Sequence, residues 1–107
     1  MKSSVIVLPE ARDDLIDIYQ YVAEHDSLGH ADALLDELEE KCMSLCIYPQ
    51  RGHPVPELKR IYVESFREIH HKPYRIVFQI SNEIVYIHAV LDGRRELQDL
   101  LERRIIR

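Results

Sequence analysis

The sequence predicts an α+β domain: a helical hairpin packed on one face of a small, mainly antiparallel sheet, in the order strand, helix, helix, strand, strand, strand, helix. Three observations carry this. Residues 73–80 alternate, with Tyr74, Ile76, Phe78 and Ile80 large and apolar or aromatic and Arg75 and Gln79 polar between them, which is the period of a half-buried strand. A second strand-like run, residues 84–91, follows after only Ser81-Asn82-Glu83, so the two should form an antiparallel hairpin. Upstream, two long stretches repeat apolar residues at helical spacing and are joined by a few residues, the pattern of an antiparallel helix pair.

Taken in order, Val5-Ile6-Val7-Leu8 is a short apolar run, read as a strand buried on both faces or lying beside the hairpin. Pro9 then suits a first helical position, where its missing N–H costs nothing. Glu10, Asp13 and Asp14 favour the positive end of the helix dipole. Ala11, Leu15, Ile18 and Val22 make one face of a helix expected from Pro9 to His25. Asp26 or Ser27 can cap the second helix. Its apolar face is Ala31, Leu34, Leu35, Leu38, Cys42 and Leu45, and it should end near Tyr48, because Pro49 disfavours helical geometry in the residue before it.

Residues 49–56 hold three prolines and a glycine and read as a loop. Residues 60–70 read as a strand of imperfect alternation with a bulge near Ser65. In the next strand Pro73 suits the first position or the turn before it, and apolar Val77 on the polar side implies that this side is partly covered too. Asp92-Gly93 closes the last strand, and residues 96–104 form a short helix with Leu97, Leu100, Leu101 and Ile105 on one face.

The 107 residues suffice for one domain, which at this size buries roughly two-thirds of its unfolded surface. No apolar run approaches the roughly 20 residues that cross a bilayer, and the N-terminal run is too short for a signal peptide, so a cytoplasmic protein without a membrane partner is expected. Cys42 and Cys46 lie four apart on a helix, a poor geometry for a disulfide. No His or Cys lies close in sequence to complete a metal site with them, and no metal or cofactor is expected. Net charge is −5, unevenly spread: residues 1–50 carry three Lys/Arg against eleven Asp/Glu, and residues 51–107 eleven against eight. An acidic chain is poorly suited to general nucleic-acid binding, which places several cations on phosphate, but the second half has room for a small basic site.

Five segments in register resemble the ParE/RelE superfamily of toxins from bacterial toxin–antitoxin (plasmid stabilisation) modules. They are Leu8-Pro9-Glu10-Ala11, the loop Tyr48-Pro49-Gln50-Arg51-Gly52-His53-Pro54-Val55-Pro56-Glu57-Leu58, then Phe66-Arg67-Glu68, Pro73-Tyr74-Arg75-Ile76 and Leu91-Asp92-Gly93-Arg94-Arg95-Glu96. The loop and the Gly-Arg-Arg resemble the ParE branch more than the RelE branch. The resemblance implies a ParE/RelE-like fold over residues 1–107, a cognate antitoxin that wraps the toxin, and one of two targets. ParE-type toxins poison DNA gyrase; RelE-type toxins cut mRNA in the ribosomal A site. A homodimer and a toxin–antitoxin hetero-oligomer are both open.

The residues weigh these branches differently. RNA cleavage by the 2′-hydroxyl needs a base, an acid and cations for the developing phosphorane charge. Arg75 matches the central-strand arginine of RelE-like nucleases and Arg95 a later one. Phe66 and Glu68 stand where those enzymes tend to carry lysines, and no Tyr or His follows Arg95. The expected function is therefore a gyrase inhibitor without its own catalysis, with Arg75, Arg94, Arg95 and the C-terminal helix as target-binding residues. The alternatives are a RelE-like ribosome-dependent mRNA endonuclease using Arg75, Arg95 and His88, and a non-toxic binding module of the same fold. His70 and His71 point to opposite faces of a strand and cannot share a task. Each arginine also has a structural reading: Arg75 pairing with Glu68 or Glu83, and Arg94 and Arg95 capping the end of a strand or pairing with Glu64 or Asp99.

Overall fold

A computed structural model of the chain describes residues 3–106. Strand β1 (Ser4–Val7) leads into α1 (Pro9–His25) and α2 (Leu28–Met43). After a 3-10 turn at Ser44–Cys46 come β2 (His53–Pro54), α3 (Pro56–Lys59), β3 (Phe66–His71), β4 (Tyr74–Ser81), β5 (Ile84–Asp92) and α4 (Gln98–Ile105). The sheet order is β1-β5-β4-β3-β2, with β1 parallel to β5 and every other neighbour antiparallel. The α+β architecture with a helical hairpin on a mainly antiparallel sheet is the expected one.

The helices form where local chemistry directs. Pro9 opens α1, and Ser27 caps α2 by accepting from the His30 N–H at 3.0 Å, which satisfies one of the orphan donors of the first turn. The expected helix end near Tyr48 lies too far along. α2 stops at Met43, where the Ser44 hydroxyl bonds back to the Lys41 carbonyl and is held from the other side by Arg51. Such back-bonding competes with helix continuation. Tyr48 then takes φ +59° and turns the chain away.

The strand expected over 60–70 begins only at Phe66. The segment before it is α3 and its closure. The Tyr62 N–H bonds to the Lys59 carbonyl and the Val63 N–H to the Leu58 carbonyl, with Tyr62 at φ +65°. This is a Schellman end, and it folds Val63 back over Leu58 in the core. Within the loop, His53–Pro54 pairs with β3 as a short edge strand, an element the proline count concealed. Gly52 makes the pairing possible: at φ +81°, an added Cβ would lie 2.0 Å from the Glu68 carbonyl oxygen.

The expected bulge near Ser65 lies instead in β5. Val77 pairs with Ala89 and Phe78 with Ile87, so His88 is the extra, unpaired residue. A bulge reverses which residues face which side. Before it Val85 and Ile87 face the helical hairpin; after it Val90 does, while Ala89 and Leu91 turn to the opposite side. The Asn82-Glu83 turn at the other end of this hairpin has φ of +51° and +64°, as two-residue hairpin turns require.

The sheet is thus covered twice. One core joins Leu15, Leu38, Cys42 and Leu45 of the helical side to Tyr74, Ile76, Phe78, Val85 and Ile87. The other joins Val55, Leu58, Leu97 and Leu101 to Phe66, Val77, Ala89 and Leu91. Of the two readings of β1, the strand lying beside the hairpin holds, since it pairs in parallel with β5; burial on both faces is not met, because β1 is a sheet edge with Ser4 and Ile6 exposed. Cys42 and Cys46 are free, and burial pushes the Cys42 thiol up to about 12.

Candidate functional site

The candidate residues gather on the sheet face away from the helical hairpin and on the turn after β5. Register sets this. Arg75 is opposite His70 on β3 and Leu91 on β5, so it shares a face with Glu68, His70, Val77 and Leu91. His71, one residue on from His70, points to the other side and meets Glu37 of α2 at 2.9 Å.

Arg75 is held by two carboxylates. Its guanidinium donates to both oxygens of Glu57 at 2.7 Å, and to Glu68 through Nε and, at 3.1 Å, through a terminal nitrogen. Its side chain is only 13% exposed, as is that of Glu57, and Glu68 is 1% exposed. Fork-to-fork pairing of this kind is both strong and directional. The Arg75 bonds hold the Glu57 carboxyl below its ordinary range, and the two carboxylates raise Arg75 further above its own. Glu68 was one of two foreseen partners for Arg75. Glu57 was not foreseen, because it arrives on a four-residue helix too short to show a period.

The turn after β5 is built against Arg75. The Gly93 N–H donates to the Pro73 carbonyl at 2.8 Å, and a Cβ there would meet that oxygen at 2.9 Å and the Arg75 stem at 3.0 Å. Two of the five sequence segments, Pro-Tyr-Arg and Asp-Gly-Arg-Arg, therefore form one structural unit. Arg94 folds back on Asp92 through both carboxylate oxygens, at 3.0 and 2.7 Å, and holds that carboxyl below its ordinary range. This partner is neither Glu64 nor Asp99. Arg95 is exposed and makes no side-chain hydrogen bond or ion pair among the described residues.

The two neighbouring arginines serve different grooves. Arg94 lines one of about 330 Å³ with His70, Lys72, Tyr74 and Arg75. Arg95 lines another of about 390 Å³ with Asp17, Ile18, Tyr21, Tyr74 and Asp92, between α1 and the sheet.

His88 lies apart from Arg75. Its ring packs edge-on against Phe66 at 4.9 Å, and burial holds it below its ordinary value, favouring the neutral form. Its carbonyl accepts from Arg104 at 2.7 Å. Arg104 also reaches both oxygens of Asp14 at 3.1 Å, and Asp14 Oδ2 accepts from the Val90 N–H at 2.9 Å. β1 has ended by this point, so Asp14 supplies the acceptor that the strand no longer does. The sequence showed Asp14 only as a helix-start acid and Arg104 only as part of a basic tail. No signal joined residues 90 apart.

A third basic element ties the loop to the sheet. Arg67 donates to the carbonyls of Gln50, Arg51 and Gly52 at 3.0, 3.1 and 2.7 Å. This links the loop segment to Phe66-Arg67-Glu68, another two of the five.

Comparison with known proteins identifies the family. A family model described as "ParE toxin of type II toxin-antitoxin system, parDE" matches residues 5–97. The chain belongs to the ParE toxin family. It is thus a ParE-like toxin of a type II toxin–antitoxin system, within the ParE/RelE superfamily. Toxin ParE3 of Caulobacter vibrioides is 26% identical over 91 residues, spanning 85% of this chain and 87% of the relative. Among solved structures, one described as the chromosomal ParDE toxin–antitoxin system from P. aeruginosa matches with a TM-score of 0.71 at 18% identity. It covers 83% of this chain and 94% of its own. The toxin–antitoxin complex RelBE2 from Mycobacterium tuberculosis matches at 0.63 and 22%, over 86% and 92%. These two likenesses concern the fold. Among the described residues, no helix is long and apolar enough to cross a membrane.

Proposed function

We propose that this ParE-family toxin acts as one domain on DNA gyrase, by binding rather than by its own catalysis, and that a cognate antitoxin neutralises it. The neutralisation of Arg75 carries the reading. A nuclease of the RelE kind would need that guanidinium free to meet a developing phosphorane, and here two carboxylates occupy it in a nearly closed site. His88 packs edge-on against Phe66, and burial favours its neutral form. Of the candidate arginines, Arg95 and Arg94 beside it are exposed, on a turn whose position Gly93 fixes. Exposed cations on a fixed turn suit contact with an acidic or phosphate-bearing surface.

Apolar surface on the helical side supports the antitoxin. Leu15, Ile16, Tyr19 and Leu35 line a cleft of about 310 Å³ between α1 and α2, and Ile16 is half exposed. A helix laid in such a cleft would bury its anchors there.

The test is supercoiling of relaxed plasmid by gyrase with purified, antitoxin-free protein. Dose-dependent loss of supercoiling with accumulation of linear DNA is expected. Arg95→Ala should weaken it more than about tenfold, the loss of one strong ionic contact, and Arg94→Ala less, because Asp92 already engages that residue. A folded protein that leaves gyrase unaffected at large excess would overturn the proposal. Cleavage of mRNA on translating ribosomes, lost in Arg75→Ala and in Arg95→Ala, would replace it with the nuclease.

A further inference from the structure

We propose that His53, Glu68 and His70 form a binding site for a divalent first-row transition metal such as Zn²⁺. The topology puts the three on one face. His53 of β2 is directly opposite Glu68 of β3, and His70, two residues along the same strand, shares its side of the sheet. The donor atoms all lie within 4.8 Å of one another. His70 Nε2 is 3.4 Å from Glu68 Oε1, and His53 Nδ1 is 3.7 Å from Glu68 Oε2. Ligands about 2.1 Å from a tetrahedral zinc are about 3.4 Å apart, so rotation of the exposed imidazoles closes the set. The two rings already meet edge to face with centroids 5.3 Å apart.

The donors are the right kind and they are held. Two imidazoles and a carboxylate suit a borderline divalent ion better than a hard one. Glu68 is buried and oriented by Arg75, an outer partner of the sort that fixes ligating carboxylates. His53 sits on a loop that Arg67 fastens at three carbonyls and that Gly52 lets approach β3. Within the ion cluster itself Glu57 and Glu68 against Arg75 leave one negative charge. Lys72 and Arg94, which line a groove with His70, are exposed and screened by solvent. Coordination through His53 Nδ1 moves its proton to Nε2 and releases its 3.0 Å bond to the Pro54 carbonyl. Water completes the coordination sphere on the exposed side. The bound ion would fasten the edge strand β2 to β3.

The experiment is calorimetric titration of the tag-free full chain with Zn²⁺, with Co²⁺ as an absorbing substitute. One ion per chain is expected, with an upward shift in Tm. His53→Ala and His70→Ala should each weaken binding more than about 100-fold, since even outer-shell losses cost about 10–100-fold. His30→Ala, an exposed histidine on the helical side beside Asp26, should leave it unchanged. Absence of binding at about 100 µM Zn²⁺, a range in which functional sites saturate, overturns the site. So does unchanged binding in both alanine variants. X-ray absorption of the wild-type zinc form is independent of any variant: two imidazole ligands support the site, and a sphere without imidazole removes it.

Discussion

Toward the helical hairpin the sheet presents Tyr74, Ile76, Phe78, Val85 and Ile87, packed against Leu15, Leu38 and Leu45. On its other side Val77, Ala89 and Leu91 meet Leu58, Leu97 and Leu101, with Arg75, Glu57 and Glu68 at the edge of this second core. Both sides exclude water, by different physics. The first relies on non-directional burial, worth about 25 cal/mol per Å². The second adds an ion cluster whose desolvation its own hydrogen bonds must offset. The first is tolerant of chemistry and intolerant of voids; the second tolerates neither a missing charge nor a missing donor. The candidate metal ligands border the second, and the turn bearing Arg94 and Arg95 sits where the two meet, with Arg95 facing the groove between α1 and the sheet.

The largest expected effect lies on the first side. Phe78 is fully buried at its centre, and Phe78→Ala should cost about 4 kcal/mol, combining lost transfer energy and a cavity. Urea unfolding should show a lower midpoint with an unchanged slope; a loss under 2 kcal/mol would mean the hairpin collapses onto the gap. On the second side Arg75→Ala should cost about 3 kcal/mol at pH 7, because it leaves two carboxylates facing each other without a cation. This loss depends on pH. Glu57 has a lowered folded value, so its contribution is present above the ordinary value of 4.5 and is lost as pH falls through the lowered one. The gap between wild type and Arg75→Ala should therefore close in acid, whereas that of Phe78→Ala should not. A gap for Arg75→Ala that is constant from pH 7 to pH 3 would show that packing of the arginine stem, and not its charge, is what is lost.

Asp14 joins the two regions, fastening α1 to β5 and to Arg104 of α4. Burial raises its carboxyl above the ordinary 3.8, outweighing the bonds from Arg104 and Val90. Its pH signature is opposite to that of Glu57: the folded state binds the proton more readily, so stability rises as pH falls through the raised value. Asp14→Asn keeps an acceptor for the Val90 N–H and removes a charge that burial disfavours, so at pH 7 it should match or slightly exceed the wild type, within about 1 kcal/mol. Relative to this variant, the wild type should gain stability on acidification. A wild type that loses ground instead would assign Asp14 a net favourable charge.

The same contrast explains what the sequence could show. α1 begins and ends where its period and Pro9 indicate, and the β4–β5 hairpin follows from alternation, because burial against one layer writes a repeat into the chain. Val77 hinted at the second layer by being apolar where alternation called for polar. The pieces that build that layer carry no repeat: α3 is four residues, β2 is two, and the bulge at His88 follows from fitting β5 between layers. Arg75 with Glu68 was legible as a cross-strand neighbour, but Glu57, 18 residues from Arg75 on a loop-borne turn, was not. Arg94 was read as a strand-end cap or as a partner for Glu64 or Asp99; its partner is Asp92, the last residue of β5, taken by a local turn two residues away. His53, Glu68 and His70 come together only through the β2–β3 register, which the prolines hid.

The smallest expected effect is a gain. Tyr62 closes α3 at φ +65° with its side chain 92% exposed, at the position where helices ordinarily place glycine. A side chain in this conformation costs about 1–2 kcal/mol, and the exposed ring recovers little of it by burial. Tyr62→Gly should remove that strain, but it also enlarges the unfolded ensemble by about 0.4–1 kcal/mol. The net is a stabilisation of about 0.5 kcal/mol, visible as a higher urea midpoint at unchanged slope. Tyr62→Ala keeps the strain and removes only the ring, so it should leave the midpoint close to wild type. If Tyr62→Gly and Tyr62→Ala shifted the midpoint equally, the ring and not the backbone would be the source of the change. If glycine alone raised it, the strain would belong to the Schellman closure that brings Val63 onto Leu58, and hence to the construction of the second layer itself.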